Sequence, residues 1–182
     1  MNDDEAFKRA MAAALRFLSY RPRSAAEVRS RLRRRFPHSL AERVIESLAE
    51  QSLVDDSKFA RMWRDSRDST NPRSAMAIRR ELLSKGVSRD IADEATREVD
   101  DRDSAYRAGI KHARRLEEAD FRTFRRRLWG YLMRRGFSGS LVRDTVARLW
   151  DERSDAHARR HDGPLDSSVA TRAGVQEPEL HP

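Results

Sequence analysis

The segment Ile78-Arg79-Arg80-Glu81-Leu82-Leu83-Ser84-Lys85-Gly86-Val87-Ser88 returns 50 residues later as Leu128-Trp129-Gly130-Tyr131-Leu132-Met133-Arg134-Arg135-Gly136-Phe137-Ser138. A looser copy, Val28-Arg29-Ser30-Arg31-Leu32-Arg33-Arg34-Arg35-Phe36, stands 50 residues earlier. Each copy reads as a short amphipathic helix with basic residues on its polar side, and the two closer copies end in Gly, an apolar residue and Ser. Repetition at this spacing predicts small helical units stacked on their neighbours, because one such unit is too thin to bury its apolar face alone. Function is then expected on a long repeated surface and not in one pocket.

Start and stop signals divide the chain into three units. In residues 6–54, Phe7, Met11, Leu15 and Leu18 recur at helical spacing, and Ser24 with Glu27 forms a capping box before a helix carrying Val28 and Leu32. Ser39 with Glu42 is expected to cap a third helix bearing Leu40, Val44 and Leu48. In residues 55–101, Asp55-Asp56 opens a helix with Phe59, Met62 and Trp63 on one face. The next helix uses Ile78 and Leu82 and stops at Gly86, and Ser88 caps another with Ile91, Ala95 and Val99. Residues 102–153 repeat the plan with Tyr106, Ile110 and Ala113, then Phe121, Phe124, Leu128 and Leu132, then Leu141, Thr145, Leu149 and Trp150. No run of Val, Ile or Thr alternates with polar residues, so the expected class is all-α, three tandem three-helix repeats. Residues 1–5 are expected to be flexible. Residues 154–182 lack an apolar period and read as a disordered tail.

Composition narrows the function classes. Hydrophobic residues make up 38% of the 182 and charged residues 37%, a balance that suits thin helical layers better than one thick core. There is no cysteine, which removes disulfides, thiolate metal sites and a Cys nucleophile. No apolar run approaches the roughly 20 residues of a membrane span. The start, Met1-Asn2-Asp3-Asp4-Glu5, lacks the basic-then-apolar order of a secretory signal, so the expectation is a soluble cytoplasmic protein.

Catalytic constellations are hard to find. Asp55-Asp56 could hold Mg²⁺, but no nucleophile, base or glycine-rich loop accompanies it, and helix capping accounts for both carboxylates and for Asp100, Asp101 and Asp103. His157 and His161 are four apart, yet both fall in the segment read as a solvated tail. No G-x-S-x-G turn exists, and the notable serines precede helices. No enzyme, metal or cofactor is expected.

The basic clusters carry more information. Net charge is +8, and only four of the 38 basic residues are Lys, leaving 34 Arg; G+C-rich codon usage accounts for the Arg preference as well as selection does. From Arg21 to Arg43 eight Arg face two Glu, and from Arg107 to Arg135 ten basic residues face three acidic ones. Runs such as Arg33-Arg34-Arg35 and Arg125-Arg126-Arg127 repel themselves, which points to an external anion. The candidate contact residues are Arg29, Arg33, Arg34, Arg79, Arg80, Arg125, Arg126, Arg127, Arg134 and Arg135. The outer two copies are more positive than the middle one, which contains Glu81. Trp129 lies off the 121-124-128-132 line beside Arg125 and Arg126, as either an inter-repeat contact or an exposed stacking residue.

Leu53-Val54-Asp55-Asp56-Ser57-Lys58-Phe59-Ala60-Arg61-Met62-Trp63, then Arg67, resembles the L-x-D-D-x-x-F-A-x-x-W/Y…R signature of the RecX family, modulators of the RecA recombinase. Leu82-Leu83-Ser84-Lys85-Gly86-Val87 and Leu132-Met133-Arg134-Arg135-Gly136-Phe137 are similar to its L-x-x-K/R-G-F/V repeats, and Arg35-Phe36 departs from them where a Gly would stand. The resemblance covers about Ala6 to Glu152. It implies an elongated, curved array and a monomer that binds in the groove of the RecA–single-stranded-DNA filament. There it would limit filament extension, ATPase, strand exchange and coprotease activity, in homologous recombination, DNA repair and the SOS response. It brings no catalytic residue and no cofactor. The rival reading is a basic helical protein that binds DNA or RNA alone.

Overall fold

The computed structural model describes residues 3–161, and all their regular structure is helical. The first unit comprises α1 (Asp3–Leu18), α2 (Ala25–Leu32) and α3 (His38–Glu50). The second comprises α4 (Asp56–Thr70), α5 (Ala75–Ser84) and α6 (Arg89–Thr96). The third comprises α7 (Asp101–Ala113) with a 3-10 turn to Leu116, α8 (Phe121–Arg134) and α9 (Gly139–His161). In every unit each helix packs on the other two, and each unit has its own apolar cluster. Val28 and Leu32, Ile78 and Leu82, and Leu128 and Leu132 are all buried at matching repeat positions.

The first helices of units one and three pack more closely than large-residue periodicity predicts. Ala10 and Ala14 are the buried residues of α1, whereas Leu15, expected inward, is 42% exposed. In α7 the buried apolar positions are Ala105, Ala108 and Gly109, with Tyr106 and Ile110 at the margin. A Cβ at Gly109 would come 2.7 Å from Leu149 Cδ1, so small residues set the α7–α9 spacing. Met62 and Phe121, also expected inward, are exposed.

The end signals hold with three exceptions. Ser24 Oγ accepts from Glu27 N and the Glu27 carboxylate accepts from Ser24 N, completing the capping box. The expected Ser39–Glu42 cap does not form: α3 begins at His38 behind Pro37, and Glu42 pairs with Arg29 instead. α1 begins at Asp3, inside the segment expected to be flexible, and Asp3 pairs with Arg43 at 2.7 Å. α9 runs past Arg153 to His161, so residues 154–161 are helical, while 162–182 lie outside the described residues. Tyr106 Oη donates to Glu152 at 2.9 Å and Arg153 Nη1 to the Leu116 carbonyl at 3.1 Å, which ties α9 down, and no Gly or Pro follows until Gly163.

The units join through their second helices, end to end. Gly86 and Gly136 have φ of +78° and +88°, the left-handed termination that favours glycine. Each glycine also lies against the start of the preceding unit's second helix. A Cβ on Gly86 would stand 2.2 Å from Ala26 Cβ, and one on Gly136 2.8 Å from Ala77 Cβ. Ser24 Oγ donates to the Lys85 carbonyl at 2.5 Å, and Ser74 N donates to the Arg135 carbonyl at 3.1 Å. The paired aspartates divide their work: Asp55 and Asp100 cap their own helices, whereas Asp56 and Asp101 accept from Ala25 N (2.8 Å) and Ala75 N (2.7 Å) in the unit before.

Candidate interaction surface

The ten arginines singled out in the sequence fall into two groups. Arg29 and Arg79 face the third helix of their own units: Arg29 Nε donates to Glu42 at 2.8 Å, and Arg79 pairs with Asp93. Hydrogen bonding and charge from Arg29 hold the Glu42 carboxyl below the usual carboxylate range, and Arg79 does the same to Asp93. Arg135 caps the second junction, stacking on Tyr131 with its guanidinium carbon 4.1 Å from the ring centroid and donating to Asn71 Oδ1. These three guanidinium groups are engaged inside the protein.

The other seven are exposed, and no carboxylate lies within ion-pairing distance of them among the described residues. Arg33 and Arg34 lie at the free end of α2 beside Arg35, and Arg80 on α5 touches only the Met76 sulfur, at 3.2 Å. Arg125, Arg126 and Arg127 fan across the exposed face of α8, and Arg134 lies near its end. Six of these seven thus lie in the two outer units, and Arg80 alone lies in unit two. There Glu81 gathers other donors: it receives Arg67 at 2.7 Å, Arg73 at 2.8 Å and the Trp63 indole N–H at 2.7 Å.

Two further residues border this surface that charge counting did not single out. Arg143 on α9 is exposed without an acidic partner, next to Trp129 and Arg125. His112 on α7 stacks on Tyr131, ring centroids 4.0 Å apart and planes within 9°, on the ring face opposite Arg135. Burial first, then the charges of Arg115, Arg135, Arg134 and Arg127, hold its pKa below the ordinary histidine value. A lone His among arginines distant in sequence has no signal in periodicity. No three His, Asp or Glu side chains converge to hold a metal among the described residues, and none of their helices is long and apolar enough to cross a membrane.

Three-helix units docked end to end, with a basic outer face at each end, define a helical-repeat protein. The chain belongs to the RecX family. Residues 10–48 match the first three-helix domain of RecX, 55–95 the second and 100–146 the third. It is 32% identical over 148 residues to the regulatory protein RecX of Chlorobium limicola, covering 81% of this chain and 93% of that one. It is 37% identical over 153 residues to that of Mycobacterium avium, covering 80% and 88%. The crystal structure of RecX from Lactobacillus salivarius shares the fold, with a TM-score of 0.68 at 22% identity over 80% of this chain and 97% of that one. The family is one of regulatory proteins by the name its members carry.

Proposed function

We propose that this chain is a non-enzymatic regulator of RecA, mainly an inhibitor. In this reading it lies in the groove of the RecA–single-stranded-DNA filament and limits extension, ATPase, strand exchange and coprotease activity. The observation that carries it is the uncompensated arginine of the outer units, set on one row of docked helices. A row of units can touch several filament subunits at once, and tethered contacts reinforce one another through effective concentration. Arg33, Arg34, Arg80, Arg125, Arg126, Arg127 and Arg134 meet acidic RecA surface or DNA phosphate, whereas Arg29, Arg79 and Arg135 hold the framework. The protein acts in the cytoplasm as a monomer without a cofactor, within recombinational DNA repair and the SOS response.

The test is RecA filament ATPase measured against increasing amounts of this protein, beside its affinity for bare single-stranded DNA at moderate salt. Dose-dependent inhibition with a strong preference for filament is expected. Equal affinity for filament and bare strand would select the rival, a basic helical protein that binds DNA or RNA alone.

A further inference from the structure

The seam between second and third helices differs in the last unit. At matching positions, unit one places Arg29 against Glu42 and unit two Arg79 against Asp93, so each seam neutralises itself. Unit three has Trp129 and Arg143 there, an aromatic ring beside a cation without a partner. α8 also starts one turn earlier than α5 relative to the shared glycine, which adds Phe121 and Arg122 to its exposed side. The result is an open groove with about 310 Å³ of space between α8 and α9, lined by Phe121, Arg125, Trp129, Arg143, Val146 and Ala147. A contiguous hollow runs from Phe121 and Trp129 past Arg122 and Arg126.

The two rings are not fully used by the core. Phe121 meets Trp150 edge-on, centroids 5.0 Å apart, and remains 46% exposed. Trp129 is half-buried, and its indole N–H donates to no protein group among the described residues, unlike that of Trp63. Aromatic faces ringed by guanidinium groups suit a ligand that is flat and apolar in its bases and anionic along its backbone.

We infer that this groove is a stacking site for single-stranded nucleic acid, with Phe121 and Trp129 taking a base and Arg122, Arg125, Arg126 and Arg143 its flanking phosphates. The inference deepens the proposed function, since it rests on that reading's DNA partner and locates base contact in unit three alone. It separates two contributions to affinity: phosphate contact, which depends on salt, and stacking, which depends on the presence of bases.

The experiment compares binding of a short oligothymidylate with that of an abasic oligomer of the same phosphate count. The full-length protein should bind the intact strand about tenfold more tightly, the order of effect of one stacked base. Phe121→Ala/Trp129→Ala should lose that preference while retaining abasic binding and its salt dependence; Trp129→Phe should keep it, which guards against a general packing defect. Equal wild-type affinity for the two oligomers, or a double variant that still prefers bases, would overturn the site. A change in tryptophan emission on adding an acidic peptide but not oligothymidylate, lost in Trp129→Phe, would overturn it too, in favour of a protein ligand. RecA ATPase inhibition, followed in parallel, keeps the two ideas apart. Inhibition without base preference removes only the groove, whereas base preference without inhibition removes only the RecA reading.

Discussion

The junctions and the free ends use the same repeat positions under opposite constraints. Where a neighbour sits, the second helix ends in a left-handed glycine that touches the preceding unit, and it begins with a buried Ser24 or Ser74. Where no neighbour sits, those positions are freed. Unit one is the first of the described units, and there no glycine separates Arg35 from Phe36, which packs against the core beneath three exposed arginines. Unit three is the last of the described units, and there Phe124 fills the serine position, closing the core edge-on against Trp150 at 5.3 Å. Docking consumes backbone groups, small side chains and paired charges such as Arg107 with Asp68, so unpaired charge and aromatic surface accumulate at the ends.

The largest effect should come from breaking a junction. Gly86→Ala adds a left-handed alanine and forces its Cβ onto Ala26, and about 2–4 kcal/mol of stability should be lost in urea unfolding. Gly136→Ala should behave alike, while Gly139→Ala, whose Cβ would meet Trp129 at an ordinary 3.9 Å, should stay within about 0.5 kcal/mol. Losses at Gly86 and Gly136 no larger than the roughly 1–2 kcal/mol of a left-handed alanine would show that helix termination, not docking, sets the requirement. Next comes the free end. Arg125→Ala/Arg126→Ala/Arg127→Ala should weaken inhibition of RecA ATPase on the order of tenfold with helix content unchanged, because these side chains support nothing inside the protein. Unaltered inhibition would remove those three residues from the contact surface. Arg29→Ala should do the reverse, lowering the melting temperature through the orphaned Glu42 with little change in inhibition.

A smaller effect tests the cross-unit caps. Asp56→Ala leaves Ala25 N–H without its acceptor and should cost about 1 kcal/mol, with faster amide exchange at the start of α2, a different unit from the mutation. Asp55→Ala should loosen α4 itself. If both variants loosen only α4, the aspartates do not divide their work.

This division marks how far the sequence could be read. The period, the all-helical class, the capping box and the two terminating glycines are local patterns of three to four residues, and they were legible. The Asp55-Asp56 pair was legible as capping, but Asp56 caps a helix 31 residues back, which no local pattern encodes. The same holds for the candidate surface. Arg runs were visible, yet which arginines stay exposed depends on whether Glu42, Asp93 or Asn71 arrives opposite them in the fold. Small residues misled the core reading for a related reason: Ala10, Ala105 and Gly109 carry little hydrophobic signal and matter because helices approach closely there.

The smallest effect concerns His112, which joins framework to surface. It stacks on Tyr131 opposite the junction residue Arg135, and its pKa lies below the ordinary value through burial and four nearby arginines. The unfolded chain therefore takes up this proton more readily than the folded one. The stabilising contribution is present above the unfolded value of about 6.5 and is lost as pH falls through the folded value. His112→Gln should flatten that part of the stability profile. A polyanion held by Arg127 and Arg134 would offset the charges that oppose protonation, so the His112 titration followed by NMR should move upward when oligothymidylate binds. An unmoved titration at saturating oligomer would place the nucleic acid away from this side of α8 and confine contact to the Phe121–Trp129 groove.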